Sequence, residues 1–136
     1  MTLVDSNVLL DIFTRDPAWK DWSFAQLELA ASAGPLLIND VIYAETSVGF
    51  RGQHDFDAAL AKANVTVSPI PRAALFVAGK VFAQYRRTGG IRTGVLPDFF
   101  IGAHAEVERL RLLTRDTRRY RSYFPNVELI APDVAP

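Results

Sequence analysis

Four acidic residues are candidates for chemistry, because each lies in or beside an apolar segment. Asp5 follows a short apolar run, Asp98 opens PDFFIGAHA, Asp116 closes LLTRD, and Glu45 lies within VIYAET. Carboxylates that converge in low-dielectric surroundings repel one another and cost stability unless cations neutralise them. A site whose ligands are all oxygen atoms suits Mg²⁺ or Mn²⁺ and disfavours zinc. The sequence therefore predicts a divalent-cation site if these acids meet.

Such a site would favour hydrolysis of a phosphodiester. Divalent cations bridge carboxylates to phosphate, polarise the phosphoryl oxygen and activate water for in-line attack. Three small polar residues beside the acids could hold water or the scissile phosphate, namely Ser6, Asn7 and Thr114. Ser6 could equally be a helix N-cap.

Each acid also has a purely local interpretation. Pro97 followed by Asp98 is typical of a helix start, because an early carboxylate meets free N–H groups and the positive end of the helix dipole. The other acids have local roles open to them as well: a strand-end Asx bond for Asp5, a solvated helical position for Glu45 and a turn for Asp116. Their joint placement therefore matters more than any single motif.

Alternating strands and helices are predicted to bring the acids together. Five short apolar runs bounded by turn residues predict strands at 3–5, 36–39, 65–69, 110–114 and 127–131. Apolar residues at helical spacing predict helices at 7–14, 18–33, 40–51, 54–63, 71–88 and 98–109. Strands this apolar suit a parallel sheet covered on both faces, so we expect an α/β fold with three α/β/α layers.

In open parallel sheets, ligands bind outside the carboxyl ends of the strands. Asp5 closes the first predicted strand, and Asp116 comes two residues after the end of the fourth. Glu45 lies just over one turn into the helix after the second strand, where Asp40 is the better cap. Asp98 joins them if the N-terminus of its helix points to the same edge. Four acids from four segments are therefore predicted to share one cleft.

Composition limits the remaining possibilities. The 136 residues, 49% of them hydrophobic, suit one domain over residues 1–136. Fifteen basic and fifteen acidic residues cancel, so binding to nucleic acid has to depend on local patches or bound cations. The absence of cysteine excludes disulfides, thiolate zinc sites and cysteine nucleophiles. The N-terminus has no basic leader or apolar span, so we expect a soluble cytoplasmic protein with no membrane association.

The motifs together resemble a known family, the PIN-domain ribonucleases, and more narrowly the VapC-type toxins of bacterial type II toxin–antitoxin pairs. The resemblance rests on DSN after the first strand, YAET, LPDFFIGAHA and LLTRD, and it spans nearly the whole chain. DSN alone is a weak motif, whereas four acids in this order with LPDFFIGAHA and LLTRD are specific.

This resemblance implies a five-stranded parallel sheet in the order 3-2-1-4-5. It also implies a Mg²⁺- or Mn²⁺-dependent endoribonuclease, a homodimer and a cognate VapB-like antitoxin. By the family pattern the acidic quartet that holds the metal is Asp5, Glu45, Asp98 and Asp116, with Asp5 and Asp98 the surest ligands. Thr114 matches the hydroxyl residue often found two positions before the last acid.

A basic, glycine-rich segment precedes Asp98. QYRRTGGIRTG, residues 84–94, contains Arg86, Arg87 and Arg92, which could contact an RNA backbone through its phosphates. The alternative is a solvated helix end that glycines terminate. The same two interpretations apply to four later arginines, which are Arg115, Arg118, Arg119 and Arg121.

Histidines and aromatic residues are assigned structural roles. His104 lies about 120° around the helix from Asp98, so it faces away from the acids, and His54 has no evident partner. The larger aromatic side chains are expected in the core, and any that share an exposed patch would mark a dimer or antitoxin surface. They are Trp19, Trp22, Phe24, Phe50 and Phe56.

Two other functions remain open at this point. The same fold could be a PIN nuclease for RNA maturation or for DNA. It could also be a non-catalytic α/β binding domain. A phosphoacceptor receiver is set aside, because the third strand ends in Ser68-Pro69 and no lysine follows Lys80.

Overall fold

The computed structural model describes residues 1–133 and contains five strands and seven helices within that range. The strands are β1 (Thr2–Val4), β2 (Leu36–Ile38), β3 (Val65–Val67), β4 (Arg111–Leu113) and β5 (Leu129–Ile130). The helices are α1 (Ser6–Phe13), α2 (Lys20–Ala33), α3 (Asp40–Ser47), α4 (Gln53–Lys62), α5 (Arg72–Arg87), α6 (Leu96–Glu108) and α7 (Arg118–Tyr123).

The strands form one parallel sheet in the order β3-β2-β1-β4-β5, which confirms the predicted α/β fold and strand order. All three residues of the central strand β1 are buried. Successive strand residues point to opposite faces, so burial of three in a row means that helices cover both faces of the sheet. The three-layer arrangement follows from this burial.

Helix α6 crosses the core beside the last helix. Phe99 on α6 is fully buried and packs edge-on against Phe124 and Tyr123. One turn further along, a Cβ atom at Gly102 would overlap the Phe124 ring. The glycine in FFIGAHA is therefore required for the close approach of α6 to the segment after α7, and this approach fixes where α7 lies.

Helix α7 was not predicted from the sequence, and the N-cap residues of two other helices differ from prediction. RRYRSY is short and mostly polar, so it shows no apolar periodicity, and buried contacts of Tyr120 and Phe124 hold it in place. The N-cap of α1 is Asp5 instead of Ser6, and the side chain that caps α3 belongs to Asn39 instead of Asp40. In both pairs two adjacent residues can cap, and packing decides between them.

Most of the expected core residues are buried or half-buried. Phe56 is buried and Phe50 stacks on it, whereas Phe24 is 52% exposed and contradicts the expected core position. Phe24 borders an apolar hollow whose other walls include Ile12 and Leu27. No helix within residues 1–133 is both long and apolar enough to cross a membrane.

Candidate active site

Asp5 occupies the junction between β1 and α1, and it is 4% exposed. Its Oδ1 accepts the backbone N–H of Ser6 at 2.8 Å. Its Oδ2 accepts two hydroxyl groups, from Thr114 at 2.8 Å and from Tyr120 at 3.0 Å. No lysine or arginine among residues 1–133 forms an ion pair with it. Asp5 is therefore a buried carboxylate whose partners are all neutral.

This environment raises the pKa of Asp5 to about 6. The largest cause is burial, which disfavours the charged form, and the nearby negative charge of Asp98 acts in the same direction. The hydrogen bonds from Thr114, Tyr120 and the Ser6 backbone oppose the shift. Three donors do not compensate for the missing water, so the carboxylate would gain strongly from a cation.

Glu45 reaches the same place from α3, which follows β2. The Ser6 hydroxyl donates to Glu45 Oε1 at 3.0 Å and lies 3.5 Å from Asp5 Oδ1. Burial raises the pKa of Glu45, and the charge of Asp98 raises it further. Ser6 thus lies between two carboxylates, one directly after β1 and one on the helix that follows the neighbouring strand β2.

Asp98 lies in the first turn of α6 and is electrostatically coupled to the other acids. Arg119 donates to its Oδ2 at 2.5 Å, yet the pKa of Asp98 is still raised because burial outweighs the guanidinium, and Asp116 adds to the rise. The negative charge of Asp98 also raises the pKa values of Asp5 and Glu45. Asp98 is therefore the acid that is electrostatically coupled to each of the other three.

Asp116 is an exposed residue at the rim of the cleft. Its Oδ1 accepts the backbone N–H of Arg118 at 3.3 Å, and its own N–H donates to Thr114 Oγ1 at 3.2 Å. The structure thus brings Asp5, Glu45 and Asp98 into one cleft and leaves Asp116 at its edge.

The donor set of the cleft fits a hard divalent cation. All the available ligand atoms are oxygens, and burial has raised the pKa values of Asp5, Glu45 and Asp98. In the side-chain conformations of residues 1–133, no three acidic or histidine side chains are close enough together to coordinate one metal ion. Arg119 on Asp98 and Ser6 on Glu45 occupy oxygens that a cation would otherwise share.

Asn7 and Thr114 form hydrogen bonds that position the acids. The Asn7 side chain accepts the backbone N–H of Arg115 at 3.1 Å and donates to Thr114 Oγ1 at 3.4 Å. Thr114 is fully buried and donates to Asp5. These two residues tie the end of β4 to the start of α1, which fixes the Asp5 carboxylate relative to Asp116.

The arginines divide into two groups. Arg92, from the α5–α6 connection, lines one cavity with Arg118, Arg119 and Asp116. The Arg92 N–H donates to the Tyr85 hydroxyl at 3.1 Å, which holds this connection over the end of α5. The two predicted RNA contacts on α5 do not line that cavity: Arg86 lies over the Phe82 ring, and Arg87 is exposed at the helix end.

Two residues near the cleft, Tyr120 and Asp11, were not singled out from the sequence, and Arg119 was considered only as an RNA contact or a solvated arginine. Tyr120 and Arg119 contact the two aspartates Asp5 and Asp98, and Asp11 binds Arg115 through two bonds of 2.6 and 2.8 Å. Tyr120 belongs to α7, which the apolar pattern of the sequence does not reveal.

His104 is buried, as a structural histidine would be. Its Nδ1 lies 3.1 Å from Nδ2 of Asn39 and accepts this bond because an amide nitrogen can only donate, and burial lowers the pKa of the ring. Asn39 in turn caps α3, which carries Glu45. The pair connects α6 to α3 behind the cleft, whereas His54 is exposed.

Comparisons with known proteins agree with this fold. A family model of the PIN domain matches residues 2–125. The VapBC2 structure from Rickettsia felis, bound to a DNA fragment from their promoter, contains a chain with a TM-score of 0.73 and 20% identity, with 97% of this chain and 98% of that chain covered. A chain of a toxin–antitoxin complex from Klebsiella pneumoniae has a TM-score of 0.66 and 22% identity, with 99% of this chain and 100% of that chain covered.

A third similar chain belongs to DNA-bound VapBC from Salmonella typhimurium, with a TM-score of 0.69, 17% identity and 96% of each chain covered. No curated protein matches the sequence. At these identities the solved structures establish the fold. Because the family model covers residues 2–125 of 136, the chain belongs to the PIN domain family.

Proposed function

We propose that this protein is a metal-dependent endoribonuclease and the toxin of a type II toxin–antitoxin pair. The observation that carries the proposal is the cleft of Asp5, Glu45 and Asp98, in which Asp5 is buried with no cationic partner among the described residues. Membership of the PIN family and the toxin–antitoxin complexes among the similar structures support it.

Asp5, Asp98 and Asp116 would hold Mg²⁺ or Mn²⁺, with Glu45 as a further ligand or as the group that orients the attacking water. The ion, when bound, stabilises charge on the phosphate and makes water a stronger nucleophile at neutral pH. Ser6 fixes Glu45 through its hydroxyl, and Thr114 fixes Asp5. These hydrogen bonds set both carboxylates in place before substrate arrives, which reduces the cost of ordering them in the transition state.

The RNA backbone would lie along the cavity formed by Arg92, Arg118 and Arg119. This cavity adjoins Asp98, because Arg119 both lines it and contacts that carboxylate. Guanidinium groups bind phosphate oxygens in a bidentate manner, so they position a backbone without selecting a sequence. On the present geometry Arg86 and Arg87 are less suited to this role than Arg92.

We also propose a VapB-like antitoxin as partner, a homodimer as the assembled form and the cytoplasm as the location. The similar Rickettsia and Salmonella chains come from VapBC structures, which supports the antitoxin partner. Phe24 and its neighbouring apolar hollow offer an exposed apolar surface to such a partner.

Cleavage of RNA by purified variants tests the nuclease. Asp98→Asn should abolish Mg²⁺-dependent cleavage and relieve growth inhibition in cells while the circular dichroism spectrum is unchanged. Asp55→Asn is the matched control, because Asp55 also lies in the first turn of a helix but is exposed on α4. Unchanged cleavage by Asp98→Asn would contradict the assignment.

The choice of substrate is tested in the same assay. Transfer RNA, ribosomal RNA and single-stranded DNA should be offered in parallel to the wild-type protein. We expect cleavage of an RNA and none of the DNA. Preference for DNA would instead support the alternative of a DNA-directed PIN nuclease.

A further inference from the structure

The two oxygens of the Asp5 carboxylate have different surroundings. Oδ2 accepts the hydroxyls of Thr114 and Tyr120, at 2.8 and 3.0 Å. Oδ1 accepts one strong bond, from the Ser6 backbone at 2.8 Å, and the Ser6 hydroxyl lies 3.5 Å away. A carboxylate oxygen has two lone-pair positions, so Oδ2 is fully occupied and Oδ1 keeps one position free.

The free position lies on the side of Glu45. The Ser6 hydroxyl that approaches Oδ1 donates to Glu45 Oε1 at 3.0 Å, so Oδ1 is the oxygen of Asp5 nearest to the Glu45 side of the cleft. Oδ2 is turned instead to β4 and α7. The orientation of the Asp5 side chain therefore decides which oxygen faces the cleft.

Tyr120 is well placed to fix that orientation. Its side chain is 2% exposed, and within the described residues its hydroxyl donates to Asp5 alone. The Tyr120 carbonyl accepts the N–H of Phe124 at 2.8 Å, and the Phe124 ring packs against Gly102 of α6. The backbone bond to Phe124 thus holds the tyrosine in place, and among the described residues the hydroxyl bonds to Asp5.

We propose that Tyr120 is a positioning residue of the metal site: its hydroxyl holds Asp5 Oδ2 toward α7 and leaves Oδ1 to bind the divalent ion. This inference rests on the proposed function, because it assumes that Asp5 binds a metal. Hydrogen bonds from outside the ligand shell orient metal ligands, and their removal typically lowers metal affinity by about 10- to 100-fold. Tyr120 would act through Asp5 and contact neither the metal nor RNA.

The test is a calorimetric titration with Mn²⁺ alone, in the absence of RNA. Tyr120→Phe removes only the hydroxyl and keeps the buried ring. We expect the Kd for Mn²⁺ to rise about tenfold. In cleavage assays the Mn²⁺ concentration needed for half-maximal rate should rise in parallel, while KM for RNA at saturating Mn²⁺ stays within about twofold of the wild-type value, since Tyr120 does not contact the substrate in this account.

The matched control is Tyr43→Phe. The Tyr43 hydroxyl donates to Asp57 at 2.6 Å, so this variant also removes a tyrosine–aspartate hydrogen bond, but from the exposed surface between α3 and α4. We expect its Kd for Mn²⁺ to match the wild-type value. Replacement of Tyr120 by 4-aminophenylalanine restores an N–H donor at the same place and should recover most of the lost affinity.

The outcomes are distinguishable. Equal Mn²⁺ affinity of the wild-type protein and folded Tyr120→Phe would overturn the role of Tyr120 and leave the proposed function intact. An equal loss of Mn²⁺ affinity in Tyr43→Phe would also overturn the role of Tyr120, as would no recovery of affinity with 4-aminophenylalanine. If Tyr120→Phe does not fold, the 4-aminophenylalanine variant still tests the role. No Mn²⁺ binding by the wild-type protein would overturn the proposed function and this inference with it.

Discussion

Asp5 and Asp11 lie at opposite ends of helix α1, and both are buried, with exposed fractions of 4% and 2%. Asp11 receives two bonds from the Arg115 guanidinium and one from the Ser23 hydroxyl at 2.7 Å. Asp5 receives three bonds of 2.8 to 3.0 Å and a longer one of 3.5 Å from the Ser6 hydroxyl, and none of them comes from a cation. Two carboxylates that are both buried and hydrogen-bonded thus differ in whether a cation compensates their charge.

The difference separates a structural acid from the acid that we propose to bind the metal. Arg115 also lies over the Trp19 ring, so the Asp11 pair joins α1, the start of α2 and the loop after β4. The charge of Asp5 is left for a ligand to neutralise, and its pKa of about 6 records the cost. A buried carboxylate that the protein leaves without a cation therefore distinguishes Asp5 as a ligand of the proposed metal site.

The largest expected effect is on catalysis. Asp5→Asn should reduce Mg²⁺-dependent RNA cleavage by at least about a thousandfold, since loss of a metal ligand removes several kcal/mol of transition-state stabilisation. Asn keeps an acceptor for the Ser6 N–H, so α1 should remain capped. Initial rates on a fluorescent RNA oligonucleotide measure the loss, and residual activity above a tenth of wild type would contradict the role of Asp5.

The second effect is on stability, at the other end of α1. Asp11→Asn leaves the partly buried Arg115 without its carboxylate and should lower the free energy of unfolding by about 3 to 5 kcal/mol. Urea unfolding followed by tryptophan fluorescence measures this. A loss below about 1 kcal/mol would contradict the structural role of the Asp11–Arg115 pair.

The third effect depends on pH. The folded pKa of Asp5, about 6, lies above the unfolded value near 3.8, so the folded state binds this proton more tightly. In EDTA, the stability contributed by protonated Asp5 is present below about pH 4 and is lost as pH rises through 6, by at most about 3 kcal/mol. Asn at this position does not titrate. The free energy of unfolding of wild type should therefore fall relative to that of Asp5→Asn as pH rises over this range. A difference that stays constant with pH would contradict the shift.

Much of the fold could be predicted from the sequence, for a physical reason. Buried parallel strands are continuous apolar runs, and helices between them repeat apolar residues at a fixed spacing, so both patterns are local. Asp5 and Asp116 follow from the same local pattern because each comes just after a strand, whereas Glu45 and Asp98 lie near the starts of helices. The PIN-domain resemblance added the strand order, which no single segment encodes.

Helix α7 and its contacts could not be predicted in this way. RRYRSY has no periodic apolar pattern, and the contacts of Arg119 with Asp98 and of Tyr120 with Asp5 join residues 21 and 115 positions apart in sequence. The same holds for Asp11 and Arg115, which are 104 positions apart. That Asp11 has an arginine partner and Asp5 has none among the described residues can therefore be seen only in the folded chain.

The smallest effect concerns the arginine cavity. Arg118→Ala should raise KM for RNA about threefold with kcat unchanged, and should reduce the salt dependence of kcat/KM by about one unit of slope, as expected for the loss of one phosphate contact. Arg121→Ala is the control, because Arg121 lies on the same helix but pairs with Asp133 and does not line the cavity. Equal effects of both changes would argue against this cavity as the RNA path.

The most direct measurement is a calorimetric titration of Mn²⁺ into three proteins: wild type, Asp5→Asn and Asp11→Asn at a temperature where the last remains folded. If Asp5 is a metal ligand and Asp11 is structural, wild type and Asp11→Asn bind Mn²⁺ with similar affinity, and Asp5→Asn does not bind it measurably. Binding of Mn²⁺ by Asp5→Asn with the wild-type affinity would contradict the assignment of this cleft as a metal site.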